Sequence, residues 1–405
     1  MKLLPPGVRP GARAVLLARG LRAVADGCVA VLLPVYLLAL GYGTFEVGVI
    51  ATATLLGSAL ATLALGAWGH RWPERGLLLA AAVLMAATGT AFALVPAAAP
   101  LWPLLVVAFV GTLNAGSGDV SVFLPLEHAR LAALGEGEAR TALFARYSLI
   151  GALGAALGAL LAGVPDALQG VAGMTPLDAL RAVFAGYAGV GIAVWWLYRR
   201  APAMTAQAGA AAARPLGPSR KIVARLTALF AVDAFAGGLV VNTLMALWLF
   251  ARFEVSATAA GAFFFWAGLL AACSQLAAPA VARRIGLVNT MVFTHLPANV
   301  CLVAAALAPT LPMAIALLSV RALLSQMDVP TRSAFVMAVV TPAERAAAAS
   351  ATTVPRSLAA AVGPILGGAW FATGALAAPL VVGGLLKIVY DIAVWLAFRH
   401  VERRL

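Results

Sequence analysis

Apolar runs of about 20 residues follow one another along nearly the whole chain. A helix needs about 20 consecutive apolar residues to cross the hydrocarbon core of a bilayer. Hydrophobic residues make up 63% of the 405 positions and charged residues only 11%. The sequence therefore predicts twelve membrane-spanning helices, with limits at 14–41, 45–69, 76–96, 101–124, 144–164, 179–198, 224–251, 255–281, 288–308, 311–336, 348–373 and 376–398.

The basic residues fall in every second connection between these runs. Arg71 and Arg75 follow the second run, and Arg283 and Arg284 follow the eighth, whereas the intervening connections hold essentially only Arg252. Because Lys and Arg concentrate in cytoplasmic loops, the pattern predicts a multi-pass protein of the inner (plasma) membrane with both termini in the cytoplasm. The net charge of +13 is thus a topology signal, and it does not indicate nucleic-acid binding.

The chain repeats itself once. A polar segment at 199–223 has the composition of a flexible linker, so we predict an N-terminal bundle (1–198), a cytoplasmic linker and a C-terminal bundle (224–405). Landmarks recur across the linker at offsets of 207 to 210 residues, namely Asp26 with Asp233, Asp119 with Asp328, and Arg146 with Arg356. Two parallel six-helix halves are the internal symmetry of one large class of secondary transporters.

The connection after the second run carries a partial family motif. Its sequence, Gly66-Ala-Trp-Gly-His-Arg-Trp-Pro-Glu-Arg75, resembles the signature G-x-x-x-D-R-x-G-R-R of the major facilitator superfamily, with His70 in place of the aspartate and Pro73 in place of the second glycine. The resemblance extends over essentially the full length. It implies an all-α membrane protein with twelve transmembrane helices in two pseudo-symmetric six-helix bundles, in which helices 1, 4, 7 and 10 line a central cavity.

Those four helices each carry an aspartate, at Asp26, Asp119, Asp233 and Asp328. A charge at membrane depth is costly unless it lines a cavity or has a partner. Asp119 and Asp328 each precede an arginine in the next run, Arg146 and Arg356, so we predict two duplicated structural ion pairs.

Asp233 and Asp26 are the predicted proton-coupling residues. Arg22 lies four residues before Asp26 and is predicted to form a local pair with it, whereas no basic residue lies within a turn of Asp233. Burial without a partner favours a protonated carboxyl group. We therefore expect Asp233, with or without Asp26, to carry a proton; the alternative is a pair between Asp233 and a residue on another helix.

Other side chains are candidates for the substrate cavity. Arg321 lies near mid-membrane and either neutralises an aspartate or binds an anionic group. An apolar pocket with a few hydrogen-bonding groups is predicted from Tyr36, Asn242, Trp248, Trp266 and Gln275.

Two further polar pairs lie in runs nine and twelve. His295 and Asn299 share one face of a helix, and the histidine is interpreted as structural. Lys387 and Asp391, at i and i+4, are interpreted as a mutually neutralising pair.

These observations predict a proton-coupled secondary transporter that moves small organic molecules by alternating access, as an antiporter for efflux. The nearest alternative is an importer of an organic anion, and a more distant one is a non-transporting receptor or lipid-moving protein. No nucleotide-binding or hydrolase motif occurs, so we expect neither enzymatic activity nor a cofactor or metal. The expected partners are a small-molecule substrate, a proton and the lipid bilayer, with the protein acting as a monomer.

Overall fold

The computed structural model describes residues 4, 8, 9, 11–116, 121–202 and 216–402, and within these ranges it contains helices but no strands. In a bilayer an open strand would leave backbone groups unpaired, whereas a helix satisfies its own. The helices are α1 (Ala12–Ala39), α2 (Thr44–Trp68), α3 (Glu74–Ala93), α4 (Leu101–Val110), α5 (Phe123–Leu134), α6 (Gly137–Leu160), α7 (Val164–Ala172), α8 (Pro176–Arg200), α9 (Arg220–Gly238), α10 (Asn242–Phe253), α11 (Ala257–Ile285), α12 (Leu287–Ala306), α13 (Leu311–Ser325), α14 (Asp328–Val339), α15 (Arg345–Ala372) and α16 (Ala378–Glu402).

Ten helical stretches in the described part of the chain are long and apolar enough to cross a membrane. Two of the twelve predicted spans are not among them. The run at 101–124 contains the short helix α4 and a break, and the run at 348–373 is covered by the 28-residue helix α15. The predicted all-α membrane fold is confirmed.

Three of the four runs that carry aspartates are broken. Helix α4 ends at Gly111, where the backbone becomes extended. Helices α9 and α10 are separated at 239–241, and α13 and α14 at 326–327. At the first break the Ala115 carbonyl accepts a hydrogen bond from the Thr243 backbone N–H at 3.1 Å. Irregular backbone at membrane depth needs such internal partners.

The described residues divide into two compact units. The first contains those of Met1–Ala206, Asn242–Phe250 and Glu254–Phe265, and the second contains those of Gln207–Val241, Ala251–Phe253 and Trp266–Leu405. Most of α10 and the start of α11 therefore pack in the first unit, although they belong to the predicted second bundle. Most of the predicted linker lies outside the described residues.

The segment around Thr243 shows why α10 packs in the first unit. The Thr243 side chain is fully buried, and its hydroxyl lies 3.0 Å from the Ala30 carbonyl and 2.9 Å from the Ala115 carbonyl. Thr258, at the start of α11, donates to the Asp166 carboxylate at 2.5 Å. These contacts attach both segments to α1, to α7 and to the break after α4.

The helix pairs within the two units repeat. In the first unit α1 packs against α6 and α8, and α3 packs against α8. In the second unit α9 packs against α15 and α16, and α12 packs against α16. The same three pairings thus recur in the same chain order, which is the internal repeat that the sequence predicts.

Small residues allow the closest of these approaches. A Cβ at Gly27 of α1 would overlap the Ala155 carbonyl of α6, and a Cβ at Gly158 would overlap the Val24 carbonyl. In the second unit Gly238 and Gly363 make the matching contact between α9 and α15. Side chains at these positions would force the backbones apart.

One carboxylate fixes the start of α9 to the turn before α15. Glu344 accepts hydrogen bonds from the Ser219 hydroxyl at 2.6 Å, from the Thr341 hydroxyl at 2.7 Å and from the Gly217 backbone N–H. These donors stabilise the ionised carboxylate and lower the pKa of Glu344 to about 2. The second unit therefore holds a charged clamp outside its membrane spans.

Candidate functional site

Asp26 is a buried carboxylate with few partners. It lies in the middle of α1 and is 9% exposed. The Tyr187 hydroxyl of α8 donates to it across 3.3 Å, but the same hydroxyl also lies 3.1 Å from the Thr112 carbonyl. Because a tyrosine carries one hydroxyl hydrogen, the two acceptors compete for it. Within the described ranges no basic side chain forms an ion pair with Asp26.

The predicted pair between Arg22 and Asp26 is wrong, because Arg22 bonds to Glu127 of α5 instead. Its Nη2 lies 2.5 Å from the Glu127 carboxylate. Tyr147 donates to the same carboxylate at 2.5 Å, and the Tyr198 hydroxyl donates to its other oxygen. Glu127 is fully buried. A carboxylate with one cation and two hydroxyl donors is a structural anchor that joins α1, α5, α6 and α8.

Asp233, which the repeat relates to Asp26, has two basic partners. Lys387 Nζ of α16 lies 2.5 Å from one oxygen, and Arg332 Nη1 of α14 lies 3.2 Å from the other. The prediction that Asp233 lacks a basic partner is therefore wrong, and the alternative of a pair with another helix is confirmed. If Asp233 lost its negative charge by protonation, the buried cations beside it would be uncompensated.

Asp328 pairs within its own helix. Arg332, four residues further along α14, lies 3.0 Å from its carboxylate. The predicted pair of Asp328 with Arg356 is thus wrong. Asp119, the repeat-related aspartate, lies outside the described residues, so its predicted pair with Arg146 of α6 stays a prediction.

A separate polar group lies between α12 and α16. Asp391 is 2.8 Å from His295 Nδ1 and 3.0 Å from Asn299 Nδ2, and all three residues are buried. The predicted pair of Lys387 with Asp391 is also wrong, because each bonds to a different residue. His295 therefore forms a hydrogen bond to this carboxylate through its ring nitrogen Nδ1.

Arg321 and Arg356 remain without hydrogen-bond or ion-pair partners among the described residues. The Nε atom of each is inaccessible to solvent and makes no hydrogen bond. Both charges nevertheless interact electrostatically with Asp233. Together with Lys387 and Arg332 they are four cations. The carboxylates of this region are Asp233, Asp328 and Asp391, so the described charges of this region sum to a positive excess.

The other predicted cavity residues have different environments. Tyr36 is fully buried and donates to the Phe92 carbonyl at 2.5 Å, and Trp248 is fully buried in α10. Trp266 is 59% exposed, and Asn242 begins α10. Gln275 donates to Gln326, in the break between α13 and α14, at 3.2 Å. Of these side chains, Gln275 and Asn242 lie beside helix breaks.

A contact between an arginine and an aromatic ring recurs in the two units with its partners exchanged. In the first unit Arg22 of α1 lies 3.9 Å from the centre of the Phe123 ring of α5. In the second unit Arg332 of α14 lies 5.5 Å from the centre of the Phe230 ring of α9. Arg22 and Phe230 are 208 residues apart and Phe123 and Arg332 are 209 apart, within the offsets of the repeat.

The comparisons agree with this architecture. A sequence model of the Major Facilitator Superfamily matches residues 15–325. The chain is 23% identical over 420 aligned residues to "Uncharacterized membrane protein YJR124C" of Saccharomyces cerevisiae, covering 95% of this chain and 93% of that protein.

Solved structures of transporters share the fold. The nucleoside transporter NupG has a TM-score of 0.73 at 14% identity, with 96% of this chain and 100% of that chain covered. A bacterial homologue of the human lysosomal transporter Spinster, inward-facing and unoccupied, has a TM-score of 0.69 at 17% identity, with 96% of each chain covered. A bacterial homologue of the iron transporter ferroportin has 0.69 at 16%, covering 95% and 98%. The chain therefore belongs to the Major Facilitator Superfamily.

Proposed function

We propose that the chain is a proton-coupled secondary transporter that exports small organic molecules across the inner membrane by alternating access. The alternating basic connections support cytoplasmic positions for both termini. The observation that carries the proton coupling is the setting of Asp26, which is buried, forms no ion pair among the described residues and shares a single hydroxyl donor with a backbone carbonyl.

The two repeat-related carboxylates differ in what protonation would cost. Protonating Asp233 would leave Lys387 without its carboxylate at 2.5 Å, and uncompensated buried charges cost several kcal/mol. Protonating Asp26 breaks no ion pair within the described ranges. The proposal therefore assigns proton carriage to Asp26 and a structural or gating role to Asp233, which reverses the order that the sequence favours.

The broken helices support a transport cycle. Discontinuous helices line substrate sites in secondary transporters, where free backbone groups and helix ends meet the ligand. Here the breaks fall after α4, after α9 and before α14, in three of the runs that carry the aspartates. A substrate that binds one conformation more tightly shifts the population towards it.

Transport in proteoliposomes tests the proposal. The purified protein is reconstituted, a library of small organic compounds is loaded inside, and efflux is measured with and without an imposed pH gradient. We expect at least one compound to leave faster with the gradient than without it. Equal rates under both conditions for every transported compound would remove the proton from the mechanism, and faster uptake than release would reverse the direction.

An organic anion is the second candidate substrate class, favoured by the excess positive charge of the second unit. The guanidinium groups of Arg321 and Arg356 have no carboxylate partner among the described residues, and arginine binds carboxylate and phosphate groups well. Replacing Arg321 with Gln should weaken transport of anionic compounds more than that of cationic ones. An equal loss for both classes would count against an anion site at Arg321.

A further inference from the structure

The buried group formed by His295, Asn299 and Asp391 differs from the sites above. It lies between α12 and α16, whereas the proposed proton carrier lies on α1. Its three members are at most 4% exposed. It is also one helical turn from Lys387, the lysine that holds Asp233. We propose that Asp391, with His295 and Asn299, forms a second proton-binding site and that its occupancy controls how firmly Lys387 holds Asp233.

The distances require a proton in this group. His295 Nδ1 and Asp391 Oδ1 are 2.8 Å apart, a distance at which two lone pairs would repel and which needs one shared hydrogen. Asn299 Nδ2 donates to the other carboxylate oxygen, Oδ2, at 3.0 Å. Asn299 Nδ2 also lies 3.2 Å from His295 Nδ1. When Nδ1 of His295 carries the shared hydrogen, this arrangement is the ionised carboxylate.

Asn299 allows the carboxylate to take up a second proton. Its Oδ1 atom is buried and has no hydrogen-bond partner, and its residue is 1% exposed. A half-turn of the amide exchanges the positions of Oδ1 and Nδ2. If a proton binds to Oδ2 of Asp391, the rotated amide accepts a hydrogen bond from that O–H. One side chain thus satisfies both protonation states without movement of either helix.

The site is linked to Asp233 through the spacing of α16. Lys387 and Asp391 are at i and i+4, a separation at which opposite charges on a helix attract. While Asp391 is ionised it competes with Asp233 for the ammonium group, which lies 2.5 Å from Asp233. A proton on Asp391 removes the competing charge. Lys387 then has Asp233 as its remaining carboxylate partner, and the bond between α9 and α16 becomes firmer.

Several other charged groups face this region and contribute to its balance. On the neighbouring helices they are Asp233 on α9, Arg321 on α13, Asp328 and Arg332 on α14, and Arg356 on α15, with the Tyr390 hydroxyl on α16 itself. The second proton is assigned to Oδ2 of Asp391 because the Asn299 amide faces that oxygen and can offer it an acceptor after rotation.

The role of this site in transport rests on the proposed proton coupling, but the protonation itself can be measured on the purified protein without any substrate. Infrared spectra recorded over a pH series detect the carbonyl band of a neutral carboxylic acid. Because other carboxyl groups, including Asp26, also contribute, we expect one component of this band that grows with falling pH in the wild type and in Asp26→Asn and is missing in Asp391→Asn. His295→Gln should move the midpoint of the band by about one pH unit or more, because a hydrogen bond to a charged group is lost.

Three further variants sharpen the result. His400→Gln, at an exposed histidine, is the matched control and should leave the midpoint unchanged. Lys387→Met should move it, because the neighbouring charge is removed. A difference spectrum between the wild type and Asp391→Asn that contains no acid band, or a component that disappears in Asp233→Asn, would overturn the assignment. An unmoved midpoint in Lys387→Met would overturn the link to Asp233.

Poor folding of Asp391→Asn does not block the test. Wild-type protein with isotope-labelled histidine reports the His295 ring nitrogens directly by NMR, with His295→Gln used to identify the signal among the four histidines. A His295 signal that is constant over the pH range in which the acid band appears would contradict the site. Because neither readout requires transport, failure of the transport proposal would leave this result intact.

Discussion

Lys387 donates a hydrogen bond to Asp233 across 2.5 Å, joining the last helix of the second unit to its first. A double-mutant cycle with Asp233→Asn and Lys387→Met should give a coupling energy within about 0.5–3 kcal/mol, as found for residues in one network, measured by unfolding in detergent. The exposed pair of Asp178 and Arg181, 3.2 Å apart, is the control and should give about 0–1 kcal/mol. Equal coupling in both pairs would argue against a special role for the buried one.

Asp26→Asn should abolish transport driven by a pH gradient while leaving exchange of substrate across the membrane at equal pH. The asparagine resembles the protonated carboxyl and retains the ability to accept from Tyr187. The assay is counterflow in proteoliposomes, with and without the gradient, and Asp178→Asn is the control at an exposed aspartate of the same unit. Gradient-driven transport at the wild-type rate would transfer the coupling role elsewhere.

Glu127→Gln should destabilise the first unit strongly. The change leaves Arg22 buried without a counter-charge, a loss of about 3–5 kcal/mol in comparable buried pairs. Thermal melting in detergent measures the effect, and Glu138→Gln, at an exposed glutamate at the start of α6, should melt like the wild type. If both variants had the same melting temperature, the Glu127 cluster would not be a structural anchor.

Glu344 should make the stability of the protein sensitive to acid. Its pKa is about 2 in the folded protein and 4.5 in its ordinary state, so the folded form binds fewer protons and gains stability above the higher value. This contribution is complete above about pH 4.5 and is lost as the pH falls towards about 2. Melting temperatures measured over this range should fall more steeply for the wild type than for Glu344→Gln. Parallel curves would show that the clamp does not form.

Gly158→Ala should be costly where α1 crosses α6. The new methyl group would meet the Val24 carbonyl, and overpacking of this kind costs about 1–3 kcal/mol. Gly186 of α8 has no neighbouring atom in the way, so Gly186→Ala should be neutral or stabilise by up to about 1 kcal/mol. Expression level and melting temperature compare the two variants, and similar values would remove the close crossing as an explanation for the glycine.

The membrane spans, the repeat and the close approach at Gly158 follow from local sequence patterns, because hydropathy and residue size act over one helix or one helix pair. Charge pairing is different. It depends on which helices touch and how each is rotated about its axis, and the sequence does not contain that information in readable form. Lys387 therefore bonds to Asp233, 154 residues away, rather than to Asp391 in the next turn.

Of the missed residues Arg332 and Glu127, the first had a local signal. Arg332 lies at i+4 from Asp328, the spacing of a helical ion pair, and this signal could have replaced the predicted pair with Arg356. Glu127 lies beyond the predicted end of the fourth span at 124, whereas α5 continues to Leu134. Because the run is broken after α4, a count of consecutive apolar residues does not locate the end of α5.

The exchanged contact between arginine and phenylalanine limits how the two halves could have diverged from a single duplicated ancestor. A half that has reversed the pair must have changed both positions, and one order of events passes through two arginines facing each other in an apolar interior. The other order passes through two phenylalanines, which pack favourably as an aromatic pair. The path of lower cost therefore runs through a half that had lost its buried cation at this position before it regained one from the opposite helix.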